Sequence, residues 1–106
     1  MNFNNSIKDA SMAARKKVGL NDHWLAFIHP KPNNLIHIVF VPKRKIKNWM
    51  AFPLDDWLLL LDFVRITQRG IREYNLEEKE YRIIIDGGLN QTFPHMHAHL
   101  VSGGTQ

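Results

Sequence analysis

The chain has 106 residues, 44% of them hydrophobic and 23% charged, which is the composition of one ordinary globular domain spanning residues 1–106. It has no cysteine, so disulfides, thiolate metal sites and cysteine nucleophiles are excluded. The net charge of +4 favours phosphate-bearing partners, either nucleotides or nucleic acid.

Neither secretion nor membrane insertion is expected. Residues 1–17 have no apolar stretch behind a basic start, which a secretory signal would need, and the longest apolar runs, such as residues 57–61, span five residues. We therefore expect a cytoplasmic protein with no membrane partner. The densest basic stretch, residues 43–47, is typical of a solvated turn, so nucleotides are favoured over nucleic acid as partners.

The first third of the chain predicts one helix and two strands. Residues 6–18 have helical spacing with one weakly apolar face. Residues 23–28 and 35–41 are rich in aromatic and aliphatic side chains, as strands are. The six residues between these strands, 29–34, include two prolines and predict a turn, so the two strands are expected to pair antiparallel.

The longest predicted element is a helix over residues 54–74, which Asn75 ends in a left-handed conformation. The residues whose helical spacing directs them toward the core are Leu54, Trp57, Leu58, Leu61, Val64 and Ile71. Leu59, Leu60 and Phe63 lie off this stripe, which leaves a second apolar side on the helix. A dimer partner is expected to cover that side.

Two further strands complete the predicted elements. Residues 81–85 predict a buried strand and residues 93–101 predict the last strand, with a loop at residues 87–90 between them. The fold class that follows is α+β: a mainly antiparallel sheet of about five strands, with one main helix and an N-terminal helix.

The most informative segment is 95–99, where three histidines alternate with apolar residues. Side chains on a strand alternate between its faces, so His95, His97 and His99 share one face at intervals of roughly 7 Å. The apolar residues that alternate with them are expected in the core: Met96, Ala98 and Leu100. Chance placement of six histidines would give only about 0.02 such patterns, so the segment predicts a strand with a wet, histidine-lined face.

Two chemical uses of such a face are open. Neutral imidazoles two residues apart can share a metal ion, although the nearest carboxylate, Asp86, is a loop away. A neutral imidazole is also a competent nucleophile near pH 7, while its neighbours donate hydrogen bonds to phosphate oxygens or protonate a leaving group. We favour this second use, which requires no metal and no cofactor.

The segment and its surroundings resemble a known family. Residues 95–101 match the signature of the histidine-triad (HIT) family, and Gln91-Thr92 is similar to the Gln-Ser or Gln-Thr pair that precedes it there. Leu25-Ala26-Phe27 and the stretch 37–43, which begins with His37, resemble the paired strands of that family. The likeness covers about residues 24–103, most of the chain.

The resemblance implies a homodimeric nucleotide-phosphate hydrolase or nucleotidyl transferase that needs no cofactor. Its substrate would be a phosphoramidate or phosphoanhydride, and its intermediate a covalent nucleotidyl-histidine. By position, His97 would attack the α-phosphate, His99 would bind phosphate oxygens, and His95 would assist the leaving group. His37 would support the triad from the neighbouring strand. The substrate-binding residues that the resemblance implies are Gln91, Thr92, Phe27, His29 and Asp86.

Three positions depart from the family pattern and keep alternatives open. The family commonly has an acid where His29 stands, used to hold both ribose hydroxyls, and a neutral imidazole has only one donor and one acceptor. Asp86 stands in place of an asparagine, and Lys45 in place of a histidine. One alternative is a nucleotide-binding or scaffold protein of the same fold. The other is a metal-binding protein that uses the alternating histidines.

Overall fold

A five-stranded antiparallel sheet forms the framework of the protein. The computed structural model describes residues 17–29 and 34–105. The strands in chain order are β1 (Lys17–Leu20), β2 (Trp24–Ile28), β3 (Asn34–Pro42), β4 (Arg82–Ile85) and β5 (Ala98–Thr105). Across the sheet their order is β1-β2-β3-β5-β4, and all four neighbouring pairs are antiparallel. The predicted α+β class, the number of strands and the antiparallel pairing of β2 with β3 are confirmed.

Within residues 17–29 and 34–105, one long helix, α1 (Trp57–Glu73), packs on the sheet, and two short 3-10 helices, Trp49–Ala51 and Gly88–Asn90, lie in the connections. The helix begins three residues later than predicted because Asp56 caps it, its carboxylate accepting a hydrogen bond from the backbone N–H of Leu59. No helix of the described part of the chain is long and apolar enough to cross a membrane.

The helix buries a different face from the one that its apolar spacing predicted. Its buried residues are Leu59, Asp62, Phe63, Ile66, Thr67, Gly70 and Ile71. Of the predicted core residues only Ile71 is buried, while the others are exposed by 94% (Leu54), 75% (Trp57), 60% (Leu58), 42% (Leu61) and 40% (Val64). Leu59 and Phe63, which lie off the predicted stripe, are in the core instead. The predicted orientation of this helix is therefore wrong.

Small and polar residues explain the orientation of α1. A Cβ added at Gly70 would lie 3.2 Å from Cδ2 of Leu100, so the glycine lets the helix pack close to the sheet. The hydroxyl of Thr67 donates to the carbonyl oxygen of Phe63 at 3.0 Å, which satisfies a buried polar group. The spacing of apolar residues gives no information on such small and polar residues. The four successive leucines at 58–61 point in every direction around the helix, so they do not indicate which face is buried.

A polar cluster fastens α1 to the turn before β2. Nδ1 of His23 lies 2.6 Å from Oδ2 of Asp62, and this hydrogen bond lowers the pKa of the buried carboxyl below its ordinary value. The side-chain amide of Asn21 donates to the carbonyl oxygen of Asp62, while its oxygen accepts the backbone N–H of Trp24. The start of β2 is thus held against the helix by polar contacts that the sequence pattern did not predict.

The main core lies between α1 and one face of the sheet. The residues that the strands and the segment before β5 contribute are Trp24, Ala26, Ile38, Phe40, Met96, Ala98 and Leu100. The predicted burial of Met96, Ala98 and Leu100 is confirmed. A smaller apolar cluster lies on the opposite face of the sheet, because successive strand residues alternate between faces. It comprises Leu25, Phe27, Val39 and Val41, with Phe93 packed against them.

The last strand begins later than predicted. β5 starts at Ala98, so the predicted strand 93–101 is wrong over its first five residues. His95 and His97 lie in the irregular segment before β5, and only His99 lies in the strand itself. Pro94 explains the difference, because proline has no N–H to donate to a strand ladder.

Two further predictions need correction. The strand predicted at 81–85 as buried is the edge strand β4, and Ile83 is 42% exposed because β4 has one neighbouring strand in the described chain. Of the predicted N-terminal helix at 6–18, residues 6–16 lie outside the described residues. Lys17 and Val18 belong to β1 instead, where the chain forms ladder hydrogen bonds with β2.

Candidate active site

The sheet register brings two histidines from neighbouring strands together. His37 of β3 pairs with Val101 of β5, and His99 of β5 pairs with Val39 of β3, so the two histidines are diagonal neighbours on one face. Nε2 of His37 lies 2.8 Å from Nδ1 of His99, which is a hydrogen bond between the two rings. His37 is buried and His99 is half-buried.

The paired rings of His37 and His99 are held without charge. Burial, and then the charge of His29, lowers the pKa of His37 to about 4. Burial is also the main cause that lowers the pKa of His99 to about 3, followed by the charges of His97, His37 and His29. Both rings are therefore neutral near pH 7, and one of them donates its N–H to the other.

His97 is held in one tautomer by the backbone. Its Nδ1 lies 3.1 Å from the carbonyl oxygen of His95, and a carbonyl oxygen only accepts hydrogen bonds. Nδ1 of His97 therefore carries the hydrogen, and Nε2 carries the lone pair. The ring stands edge-on to that of His99, with the two centroids 4.9 Å apart. A half-buried imidazole with a bare Nε2 is the form that acts as a nucleophile.

His29 extends the row of imidazoles at its other end. The ring of His29 stacks on that of His37, with centroids 4.4 Å apart and planes 16° from parallel. Its backbone N–H donates to the carbonyl oxygen of His37, which continues the β2–β3 ladder beyond the end of β2. Four imidazoles, those of His29, His37, His99 and His97, thus lie in successive contact. In the described residues, no three histidine, aspartate or glutamate side chains are grouped to hold a metal ion.

Beside the imidazoles lies an apolar floor, which is the small cluster of Leu25, Phe27, Val39 and Val41 with Phe93 packed against it. Phe27 is 2% exposed and belongs to the small cluster on this face of the sheet. Phe93 packs against that cluster, and its ring centroid lies 5.7 Å from that of His95 and 6.2 Å from that of His97. Phe93 was not among the site residues expected from the sequence. The available signal was its position two residues before His95, in phase with the alternating histidines.

The remaining predicted binding residues are Gln91, Thr92 and Asp86. The side-chain amide of Gln91 donates to the carbonyl oxygens of Lys47 and Phe93, each at 2.9 Å, so it ties two loops together. Thr92 is exposed next to it, and Asp86 is half-buried directly after β4. The structure therefore brings Gln91 and Thr92 to the triad segment, with the amide nitrogen of Gln91 already engaged.

His95 lies against the connection between β3 and α1. The backbone N–H of Met96 donates to the carbonyl oxygen of Ile46 at 2.8 Å, which holds the two segments side by side. Burial, and then the positive charge of Lys45, lowers the pKa of the half-buried His95 below its ordinary value. A lowered pKa keeps this ring mostly neutral near pH 7.

Sequence comparisons give similarity over most of the chain. The sequence model of the HIT domain matches residues 11–106. An "Uncharacterized HIT-like protein" of Chlamydia trachomatis is 30% identical over 90 residues, which cover 83% of this chain and 80% of that protein. A protein of the same description from Synechococcus elongatus is 31% identical over 85 residues, covering 78% and 74%.

Solved structures show the same fold. A HIT family hydrolase from Legionella pneumophila superposes with a TM-score of 0.83 at 23% identity, covering 95% of this chain and 90% of that one. A HIT family hydrolase from Clostridium thermocellum superposes with a TM-score of 0.82 at 24% identity, covering 95% and 88%. At these identities the likeness shows the fold, and the chemistry rests on the residues of this chain.

Proposed function

The chain belongs to the histidine-triad (HIT) family, and we propose that it is a nucleotide-phosphate hydrolase or nucleotidyl transferase whose nucleophile is His97. The observation that carries this proposal is the hydrogen bond from Nδ1 of His97 to the carbonyl oxygen of His95. It leaves the lone pair on Nε2 without the help of a separate base. The chain has no cysteine that would serve as an alternative nucleophile.

In the first step, Nε2 of His97 forms a bond to the α-phosphorus of the substrate. The bond from that phosphorus to the leaving group breaks, and the leaving group departs with the electron pair. The nucleotidyl group is now held on a ring that also keeps its hydrogen on Nδ1. In the second step, water or another acceptor attacks the phosphorus, the electron pair returns to Nε2, and the attacking group loses its proton to solvent.

The His37–His99 pair supports phosphate binding in one of its two tautomers. When Nε2 of His37 donates to Nδ1 of His99, the hydrogen of His99 is on its own Nε2. That N–H then donates a hydrogen bond to a phosphate oxygen, and this hydrogen bond strengthens as negative charge develops on the oxygen. In the opposite tautomer, Nε2 of His99 would present a lone pair to the phosphate and repel it. Bound phosphate therefore selects the first tautomer.

The apolar floor supports a nucleoside as the rest of the substrate. Phe27 and Val39 are buried, and the half-buried Phe93 that packs against their cluster offers an apolar surface beside the row of imidazoles. A base stacking on an aromatic side chain gains about 1–3 kcal/mol without specific hydrogen bonds, so this surface favours a base without selecting one.

The test is turnover of a nucleoside phosphoramidate by His97→Ala. We expect kcat to fall by more than about 10³-fold while a mononucleotide still binds, because the variant lacks the nucleophile and keeps the binding surface. The matched control is His23→Ala, which removes a histidine of the opposite side of the protein, bonded to Asp62. It should keep wild-type kcat below its unfolding temperature. Full activity of His97→Ala would refute the covalent mechanism.

The alternatives give different results in the same assay. A scaffold protein would bind the mononucleotide, and its wild type would turn over no phosphoramidate or phosphoanhydride. A metal-binding protein would lose activity on chelation and regain it only with added zinc. Asp86, which stands in place of an asparagine of the family, favours the scaffold among these alternatives, because a carboxylate near a phosphate is unfavourable.

We also propose that two copies associate through the exposed side of α1. Trp57, Leu58 and Leu61 lie on one side of the helix and are 75%, 60% and 42% exposed, an apolar surface that association would cover. Sedimentation at about tens of micromolar should show a dimer. Leu61→Glu should convert it to a monomer, and Lys79→Glu, at an exposed position after α1, should not. A monomeric wild type would contradict the proposal.

A further inference from the structure

A lysine that has no role so far lies beside the triad segment. The backbone hydrogen bond between Met96 and Ile46 joins two residues whose side chains are 1% and 3% exposed. The residues that precede them, Lys45 and His95, lie outside the core, the first exposed and the second half-buried. Lys45 is exposed, and its charge is close enough to act on the His95 ring. The geometry thus places an ammonium group next to the triad.

The backbone next to Lys45 is held by hydrogen bonds at the two residues that follow it. The carbonyl oxygen of Lys47 accepts the side-chain amide of Gln91, in addition to the bond at Ile46. The neighbouring Arg44 forms an ion pair with Asp56, since its guanidinium lies 2.9 Å from the carboxylate of that residue. Within residues 17–29 and 34–105, the ammonium of Lys45 has no carboxylate within ion-pair distance. It is therefore available to an external anion.

The two substrate classes place different demands on this position. When a phosphoanhydride is cleaved, the phosphorus–oxygen bond breaks and the departing phosphate keeps the electron pair as added negative charge. When a phosphoramidate is cleaved, the departing nitrogen must take up a proton. As a fixed positive charge, Lys45 stabilises the negative charge on the departing phosphate. His95 is poorly placed to protonate the departing nitrogen near pH 7, because burial and the charge of Lys45 both lower its pKa.

We propose that Lys45 is a specificity-determining residue that binds the anionic leaving group, so that the substrates of this chain are phosphoanhydrides whose leaving group is a phosphate or pyrophosphate. The inference rests on the proposed function, in which His97 is the nucleophile. Within the row His29, His37, His99 and His97, the middle two rings are neutral near pH 7. The ammonium of Lys45 therefore supplies positive charge at the leaving-group end of the site.

The kinetic test uses two substrates with the same nucleotidyl group and different leaving groups: ADP, which releases phosphate, and adenosine 5′-phosphoramidate, which releases ammonia. Lys45→Met should lower kcat/KM for ADP by about tenfold at low salt and change the phosphoramidate value by less than about twofold. Lys45→Arg should recover most of the loss, and the difference should shrink as ionic strength rises. The matched control is Lys79→Met, another exposed lysine, which should change neither value. Equal changes with both substrates would overturn the proposal.

A binding measurement separates this inference from the proposed function. Pyrophosphate is titrated into wild type, Lys45→Met and Lys79→Met while the ring resonances of His95 are followed by NMR. Pyrophosphate should shift these resonances in wild type and in Lys79→Met, with an affinity at least about fivefold weaker in Lys45→Met. Equal affinity in all three proteins would overturn the role of Lys45, whether or not wild type turns over any nucleotide. A wild type that binds pyrophosphate through Lys45 and turns over neither substrate would refute the proposed function alone.

Discussion

On one face of the sheet, α1 covers side chains that are nearly all apolar, while the opposite face carries a row of imidazoles on a small apolar floor. The same strands build both faces. In β3, Ile38 is buried under the helix and its neighbour His37 belongs to the row of imidazoles. In β5, Leu100 is buried under the helix and its neighbour His99 belongs to that row. Side chains that stabilise the fold and side chains of the candidate site thus alternate residue by residue along the same strands. A substitution on one face should therefore leave the property of the other face unchanged.

The largest effect is expected from the helix side. Leu100 is fully buried and lies against Gly70, where the helix packs closest, so Leu100→Ala leaves a cavity that the sheet cannot close. The free energy of unfolding should fall by about 2–5 kcal/mol, as measured by urea titration. Turnover per folded molecule should stay within about twofold of wild type, because the side chain of Leu100 lies in the core under α1, on the face opposite to the imidazoles. A loss of stability below about 1 kcal/mol would show that this core is not closely packed.

The next effect tests the other face. His37→Phe keeps an aromatic ring against His29 but removes the nitrogen that bonds Nδ1 of His99, so the tautomer of His99 is no longer fixed. We expect kcat to fall by about 10²-fold, with KM for the nucleotide changed less. His37→Gln, whose amide can donate, should recover part of this loss, and a role limited to packing would show no such rescue. Unchanged turnover in His37→Phe would contradict the supporting role of this ring.

A third expected effect is a pH dependence of the free energy of unfolding that arises from the histidine-lined face. The pKa of His37 is lowered from 6.5 to about 4 and that of His99 to about 3, so in this range the unfolded chain binds more protons than the folded one. Their contribution to stability is complete above pH 6.5 and is lost progressively as the pH falls toward 4 and below. Urea titrations between pH 7 and 4 should show this decline.

Two variants connect this pH dependence to the comparison of the faces. The double variant His37→Phe, His99→Phe should decline less steeply between pH 6.5 and 4, because it lacks both depressed groups. Leu100→Ala should be less stable at every pH and keep the wild-type slope. A double variant with an unchanged slope would mean that other groups cause the decline.

The two faces also differ in how well the sequence predicts them. The alternation around the triad correctly predicted the burial of Met96, Ala98 and Leu100. For Ala98 and Leu100 the reason is the period of two of a strand, whereas Met96 is buried in the irregular segment before β5. The orientation of α1 was not predictable in this way. Its leucines surround the axis, and the choice depended on where Gly70 lets the sheet approach and on where Asp62 finds His23. Those partners are far apart in the sequence.

The site shows the same limit. A wet, histidine-lined face follows from the spacing of His97 and His99, but the contact of His99 with His37 depends on β5 lying between β3 and β4. That strand order is a long-range property of the fold, which local patterning does not determine. The position of Lys45 beside His95 likewise depends on a long-range contact, the hydrogen bond between Met96 and Ile46. The sequence of residues 43–47 alone predicts an ordinary solvated turn.

The most direct test of the account is to trap the nucleotidyl group on the enzyme. Protein mixed with excess substrate is quenched within one turnover in alkaline denaturant, since a phosphorus–nitrogen bond on imidazole is labile in acid, and its intact mass and peptides are measured. We expect one added nucleotidyl group, located on His97, in wild type and none in His97→Ala, because Nε2 of His97 carries the lone pair. An adduct on another residue, or turnover by wild type with no adduct at any quench time, would contradict the account.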